Sequence, residues 1–140
     1  MTDSTFTGGC LCGRIRYRAT GTPATPSHCH CELCRKSSGA PFVSWASFPA
    51  ENFAFTQGEP ARFDSSAIAF RQFCGNCGTQ LTFQLHRSPD SIDVTLASLD
   101  DPAAIRPVDH IWTKRQISWI RLADGLPCFP ESRPADWRQW

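Results

Sequence analysis

Apolar residues along this 140-residue chain alternate over short distances more often than they recur at helical spacing. In RIRYRA, residues 14–19, Ile15 and Tyr17 fall on one face and Arg14, Arg16 and Arg18 on the other. A period of two marks a half-buried strand. Five further runs are short and rich in aromatic or β-branched residues: 42–48, 67–73, 80–85, 91–97 and 116–122. Such residues suit a pleated, partly buried surface. Turn chemistry separates the runs, in TGTP, TQGEP, HRSPD, LDDPA and ADGLP. The 11 prolines are spread along the chain and leave little room for helices of three turns or more. The pattern therefore predicts an all-β domain of packed antiparallel sheets. One or two helical turns are expected, after Cys34 and near residues 101–105. Phe42, Trp45, Phe73 and Trp119 are the core candidates by strand position.

The length suits a single domain spanning residues 1–140. Its polar, proline-broken tail begins near residue 130, and Trp137 and Trp140 there either tuck back or meet a partner. A formal net charge of +1, with no basic stripe, argues against nucleic acid or an anionic membrane as partner. The N-terminal MTDSTFTGGC has neither a basic start nor an apolar run, and no segment reaches the length of a membrane span. These features place the protein in the cytoplasm as an expectation. There, eight cysteines point to metal ligation rather than to four disulfides.

The cysteines fall into three knuckles and one singleton. GGCLCG carries Cys10 and Cys12, and FCGNCG carries Cys74 and Cys77. Flanking glycines let the backbone curl so that N–H groups face the sulfurs. Together the two pairs supply four thiolates, the full set of a closed structural zinc site. Between them HCHCELCRK carries Cys29, Cys31 and Cys34. This knuckle offers only three sulfurs, and three protein ligands with an open position mark a catalytic zinc. Candidates to close it are His28, His30 and Cys128. An extended backbone turns His30 away from its neighbours, so both histidines read first as supporting or surface imidazoles. Cys128 reads first as a buried apolar thiol. A zinc held by three thiolates is soft, a weak Lewis acid that suits a sulfur ligand. Arg35 and Lys36 after the knuckle either neutralise it, meet a substrate carboxylate or are plain surface charges. The helical turn expected at RKSSG would aim its N–H groups at the cluster. Asp100 and Asp101 read as turn and cap residues, with an acid–base pair as the sharper alternative. His110 is the candidate proton carrier among the non-cysteine residues, against the plainer reading of a hydrogen-bonded structural histidine.

GGCLCG, HCHCELCRKSSG, FCGNCGTQL, LASLDDP and HIW, in this order, resemble the glutathione-dependent formaldehyde-activating enzyme family, which includes centromere protein V. The resemblance runs from about Gly8 to Pro127. It implies an Mss4-like fold of several coiled antiparallel sheets stapled by zinc. It also implies two Zn²⁺ per chain, structural on Cys10, Cys12, Cys74 and Cys77, catalytic on Cys29, Cys31 and Cys34. The implied activity is that of a carbon–sulfur lyase, the reversible joining of glutathione and formaldehyde as S-hydroxymethylglutathione. A small-molecule thiol or thiol adduct, with glutathione as one candidate, would then be the partner of a monomer or homodimer. No motif fixes a glutathione site. Two other readings stand beside the enzyme: a zinc-stabilised binding or scaffold module without turnover, since fold does not fix function, and a metal buffer or redox thiol centre.

Overall fold

Ten strands and one α-helix are found among residues 4–135, the part of the chain that the computed structural model describes. In chain order they are β1 (Thr5–Gly9), β2 (Arg16–Thr20), β3 (Ala24–Cys29), α1 (Glu32–Ser38), β4 (Val43–Pro49), β5 (Phe53–Gln57), β6 (Ala61–Ser66), β7 (Ala69–Phe73), β8 (Gln80–Leu85), β9 (Ser91–Thr95) and β10 (Asp109–Ile111). The expected all-β class is what the chain adopts. Trp137 and Trp140 lie outside the described residues.

The strands form two sheets. A three-stranded sheet has the order β1-β2-β5, and a seven-stranded sheet has the order β10-β3-β4-β9-β8-β7-β6. Every pairing is antiparallel except β10 with β3, which is parallel. Successive residues of a strand point to opposite faces, so the register assigns two rows of side chains across the large sheet. One row runs Ala46, Val94, Thr82. It joins Phe48, Leu81 and Ile92 in a core closed by Tyr17 and Ala19 of the small sheet. The other row runs Ser47, Asp93, Phe83, Arg71 on the opposite face. That face carries no second sheet; Cys29, Cys34 and Trp45 form a separate cluster there.

Five of the six expected strands are present, and the sixth is not. Residues 116–122 are irregular and make a turn in which the Ile120 amide bonds the Ile117 carbonyl at 3.0 Å. Trp119 is accordingly 67% exposed instead of being core. The neighbouring edge of β10 pairs instead with the segment that follows: the His110 amide bonds the Pro127 carbonyl and the Phe129 amide bonds the His110 carbonyl. Strands β1, β3, β5, β6 and β10 lacked a usable alternation. In β1 the signal is masked by Gly8 and Gly9, which are there for space. A Cβ on Gly8 would lie 2.4 Å from the Tyr17 hydroxyl, and one on Gly9 2.3 Å from the Ile15 carbonyl oxygen.

The helix begins earlier than expected. It starts at Glu32 with Cys31 as its N-cap, so RKSSG is its C-terminal part, ended by Gly39 at φ 71°. Residues 101–105 hold a turn without a helix, in which the Ala103 amide bonds the Asp101 carboxylate.

Candidate metal centres and the cavity above the large sheet

Two cysteine groups converge in space as the spacing suggested. The sulfurs of Cys10, Cys12, Cys74 and Cys77 all lie within 4.8 Å of one another. Cys10 and Cys12 sulfurs are 3.6 Å apart, and those of Cys12 and Cys74 3.7 Å. A tetrahedral ion with Zn–S bonds of about 2.3 Å has sulfur–sulfur edges of roughly 3.8 Å, so the donor set fits such an ion. The knuckles are local structures. Backbone N–H groups of Ile15 and Cys77 point at the Cys10 and Cys74 sulfurs at 3.2 and 3.4 Å. The turns close at Gly13 and Gly78, both at positive φ that glycine adopts without strain. Thr79 ties the two knuckles together: its hydroxyl accepts from the Leu11 amide at 3.0 Å and contacts the Cys77 sulfur at 3.3 Å. Hydrogen bonds from the Thr79 hydroxyl and the Thr79 amide hold the Cys77 thiol down to about 5, ready to bind as thiolate.

Cys29, Cys31 and Cys34 also bring their sulfurs within 4.8 Å of one another. Cys29 ends β3, Cys31 caps α1 and Cys34 sits in its first turn. The Cys34 amide bonds the Cys31 sulfur at 3.3 Å, so the helix N-terminus does face the cluster, one turn earlier than the sequence suggested. Hydrogen bonds from the Cys29 and Cys34 thiols favour Cys31 as thiolate, down to about 2, and the same bonds push the Cys29 thiol up.

Arg71 is the residue that the sequence left unmarked. It is 2% exposed, and its Nη2 lies 3.7 Å from the Cys34 sulfur. Its guanidinium sits 5.0 Å from the Phe83 ring centre and 5.8 Å from that of Trp45. Nε and Nη1 are buried without a hydrogen-bond partner among the described residues. A cation buried this way is costly unless a negative charge is held beside it. Three thiolates around a divalent ion, formally −1, supply that charge, and this is an independent sign that the donor set fits a metal.

The imidazoles take no part in the three-sulfur group. His30 is fully buried, and its Nε2 lies 2.9 Å from His110 Nδ1, whose Nε2 is 2.7 Å from Asp124. Burial, then the neighbouring histidines, bring His30 down to about 4. His28 stacks on His110 with ring centres 4.6 Å apart and planes 27° apart, and bonds Ser44 at 2.7 Å. His28, His110 and Asp124 have the right atom types for a metal, but nearly parallel stacked rings aim their in-plane lone pairs side by side rather than at one point. The hydrogen-bond chain that pins β10 to the knuckle runs instead through His30, His110 and Asp124. Cys128 is exposed, contrary to the buried thiol expected, and its thiol donates to the Leu126 carbonyl. Its segment runs beside β10 at the surface. Asp100 is bound by Arg16 and Thr7, far from an acid–base pair with Asp101.

Above the free face of the large sheet lies a cavity of about 620 Å³, within the range of small-molecule sites. Cys29, Cys31 and Cys34 line it, together with apolar walls from Leu33, Trp45, Phe83, Ile111 and Trp112. Neither the four-cysteine group nor His110 is among its lining residues. Its other polar groups are Arg71, Asp93, Arg115, Arg133, Glu32 and serine and threonine hydroxyls.

A model of the family described as glutathione-dependent formaldehyde-activating enzyme matches residues 5–115. A protein of Schizosaccharomyces pombe, named an uncharacterized lyase, is 35% identical over 78 residues. The match covers 56% of this chain and 56% of that protein, so this chain spans just over half the length of the relative. A crystal structure of a Rhodobacter sphaeroides protein superposes with a TM-score of 0.57 at 21% identity, over 72% of this chain and 91% of that one. That last likeness is one of fold.

Proposed function

The chain belongs to the glutathione-dependent formaldehyde-activating enzyme family, and we propose that it is a carbon–sulfur lyase for a thiol–aldehyde adduct bound in the cavity beside Cys29, Cys31 and Cys34. The observation that carries the reading is the contrast between the two cysteine groups. Four sulfurs close on themselves away from the cavity, whereas three form part of its wall. A structural set is complete and a catalytic set keeps a position open.

In this reading Cys10, Cys12, Cys74 and Cys77 hold a structural Zn²⁺ that ties the start of the chain to the β7–β8 turn. Cys29, Cys31 and Cys34 hold a second, two per chain, and the whole chain acts as one cytoplasmic unit. When bound at the second set, zinc supplies a soft centre that favours sulfur as thiolate near neutral pH. The chain's own residues do the rest. Arg71 balances the negative charge of the sulfurs. The α1 N-terminus and the Cys34 amide fix the Cys31 sulfur. Trp45, Phe83, Ile111 and Trp112 keep water from the adduct. The reaction itself needs no oxidant. The hydroxyl of the hemithioacetal loses its proton, the carbon–oxygen double bond forms, and the carbon–sulfur electron pair leaves with the sulfur. Glutathione and formaldehyde are the pair that the family's description suggests.

The test is an NMR screen of thiols with aldehydes, comparing exchange rates with and without protein. Wild type should accelerate at least one pair, and Cys31→Ser should abolish the effect. Metal analysis should find two zinc ions in wild type and one in a folded Cys31→Ser. No acceleration over that variant across a broad panel would make the protein a zinc-stabilised binding module instead.

A further inference from the structure

Asp93 is a carboxylate on the cavity wall beside the aromatic Phe83, and the reaction outlined above gives it no task. It stands in the row Ser47, Asp93, Phe83, Arg71. Its one hydrogen bond among the described residues is donated by the Ser47 hydroxyl. None of the ion pairs of the described residues includes it. Burial raises its protonation above the usual carboxylate range, the mark of a desolvated anion without a counter-charge.

The other cavity cations are committed elsewhere or sit at the edge. Arg71 faces the Cys34 sulfur, Arg133 is paired with Asp109 at 2.5 Å, and Arg115 is exposed at the mouth. Around Asp93 the cavity offers acceptors and ring faces. The Thr25 hydroxyl lies 3.5 Å from that of Ser47, and both residues line the cavity. Thr25 is held at φ 48°, an uncommon conformation for a β-branched residue and one that concentrates at functional sites. Phe83 is directly opposite Asp93 in the ladder, and Trp45 lies 6.0 Å from Phe83. A carboxylate, hydroxyl oxygens and aromatic faces together are what a small organic cation binds.

We propose that this end of the cavity is an ammonium-binding subsite built on Asp93, so that the preferred substrates are thiol adducts carrying a primary amine remote from the sulfur. The proposal rests on the reading of the three-cysteine end as the thiol site. The register sets the spacing. Cys29 pairs with Val43, and Asp93 pairs with Ser47, four residues further along β4 and on its other side. Strand rise and spacing put their backbones roughly 16 Å apart, and side chains closing in from both ends leave a sulfur-to-nitrogen span of about 10 Å.

The experiment compares unbranched alkanethiols of about eight carbons, matching that span, ending in an amine, a hydroxyl or a carboxyl. Each is mixed with formaldehyde, and kcat/KM is measured for wild type and Asp93→Asn. Binding of the S-methylated amine, which cannot react, is followed separately by NMR. The amine-ended thiol should be preferred over the hydroxyl-ended one by about tenfold or more. Asp93→Asn, which keeps an acceptor for Ser47, should cut that preference at least fivefold and weaken the S-methylated amine alike. Ser47→Ala should lower both in the same direction, and serves if Asp93→Asn does not fold. An unchanged preference in either folded variant, or a preference for the carboxyl-ended thiol, overturns the subsite. If no thiol turns over yet the S-methylated amine binds through Asp93, the subsite stands and the lyase reading falls.

Discussion

Replacing Arg71 by methionine should act in opposite directions on the metal-bound and metal-free protein. The guanidinium is 2% exposed and lies 3.7 Å from the Cys34 sulfur. With a divalent ion in place, the three thiolates carry a formal charge of −1 spread over three atoms. At a mean separation of about 5 Å and an effective dielectric of about 20, the attraction to Arg71 is roughly 3 kcal/mol. Methionine keeps an unbranched, apolar stem against Phe83 and Trp45 but removes that attraction. Metal affinity at the three-cysteine site should therefore fall by about two orders of magnitude. Without metal, the counter-charge is at most that of Cys31, which can take up a proton once the cation is gone, and Nε and Nη1 have no partner among the described residues. Exchanging the buried cation and its one counter-charge for an apolar side chain and a neutral thiol is then neutral, or stabilising by about 1–4 kcal/mol. Chelator competition gives the affinity, and thermal unfolding with and without chelator gives the two stabilities. The variant should lose metal readily while its metal-free form unfolds no lower than wild type, or a few degrees higher. An affinity unchanged within about threefold would refute the charge argument, because even half of the estimated attraction corresponds to more than tenfold.

Two further tests concern the frame that carries the site. Gly8→Ala would place a methyl group 2.4 Å from the Tyr17 hydroxyl and 2.5 Å from the Ser98 carbonyl oxygen; because Ser98 is backbone and Tyr17 is in the core, urea unfolding should show a loss of about 2–3 kcal/mol, and an unchanged midpoint would contradict the packing of β1 on β2. The Asp100 carboxyl is held at about 2 by its bonds from Arg16 and Thr7. A folded-state value below the ordinary one means that this stabilisation is complete above about pH 4 and fades as pH falls toward about 2. Asp100→Asn should flatten the acid limb of the stability curve in that window, and an unaltered limb would show that other carboxylates govern it.

The cysteine pattern was legible because knuckles are local. Each needs only a few residues, a glycine or a helix N-terminus, and amides aimed at sulfur, so Cys10 with Cys12, Cys74 with Cys77, and the Cys29–Cys31–Cys34 run announce themselves. Alternation likewise found β2, β4, β7, β8 and β9, whose residues pack on the core row or its reverse. The same cue failed at residues 116–122. A strand requires a partner edge, which alternation alone does not supply, and the edge of β10 nearest in sequence pairs with the chain from Pro127 onward. Cys128 was misplaced for the same reason, since that surface segment leaves its thiol exposed.

By itself, then, the sequence determined the cysteine groupings and the β class, because sulfur spacing and side-chain alternation are properties of a few consecutive residues. It also set a knuckle of three sulfurs against a group of four. Only the tertiary structure decided which face of the large sheet stays open, and therefore that Arg71, Phe83, Asp93 and Ser47 share a row above which a cavity lies. These four come from four different strands, and their meeting depends on a register set by long-range pairing. A shift of one residue in any of those ladders would have turned its side chain into the core. Charge placed beside the thiols is thus a consequence of sheet register, which no short stretch of the chain contains.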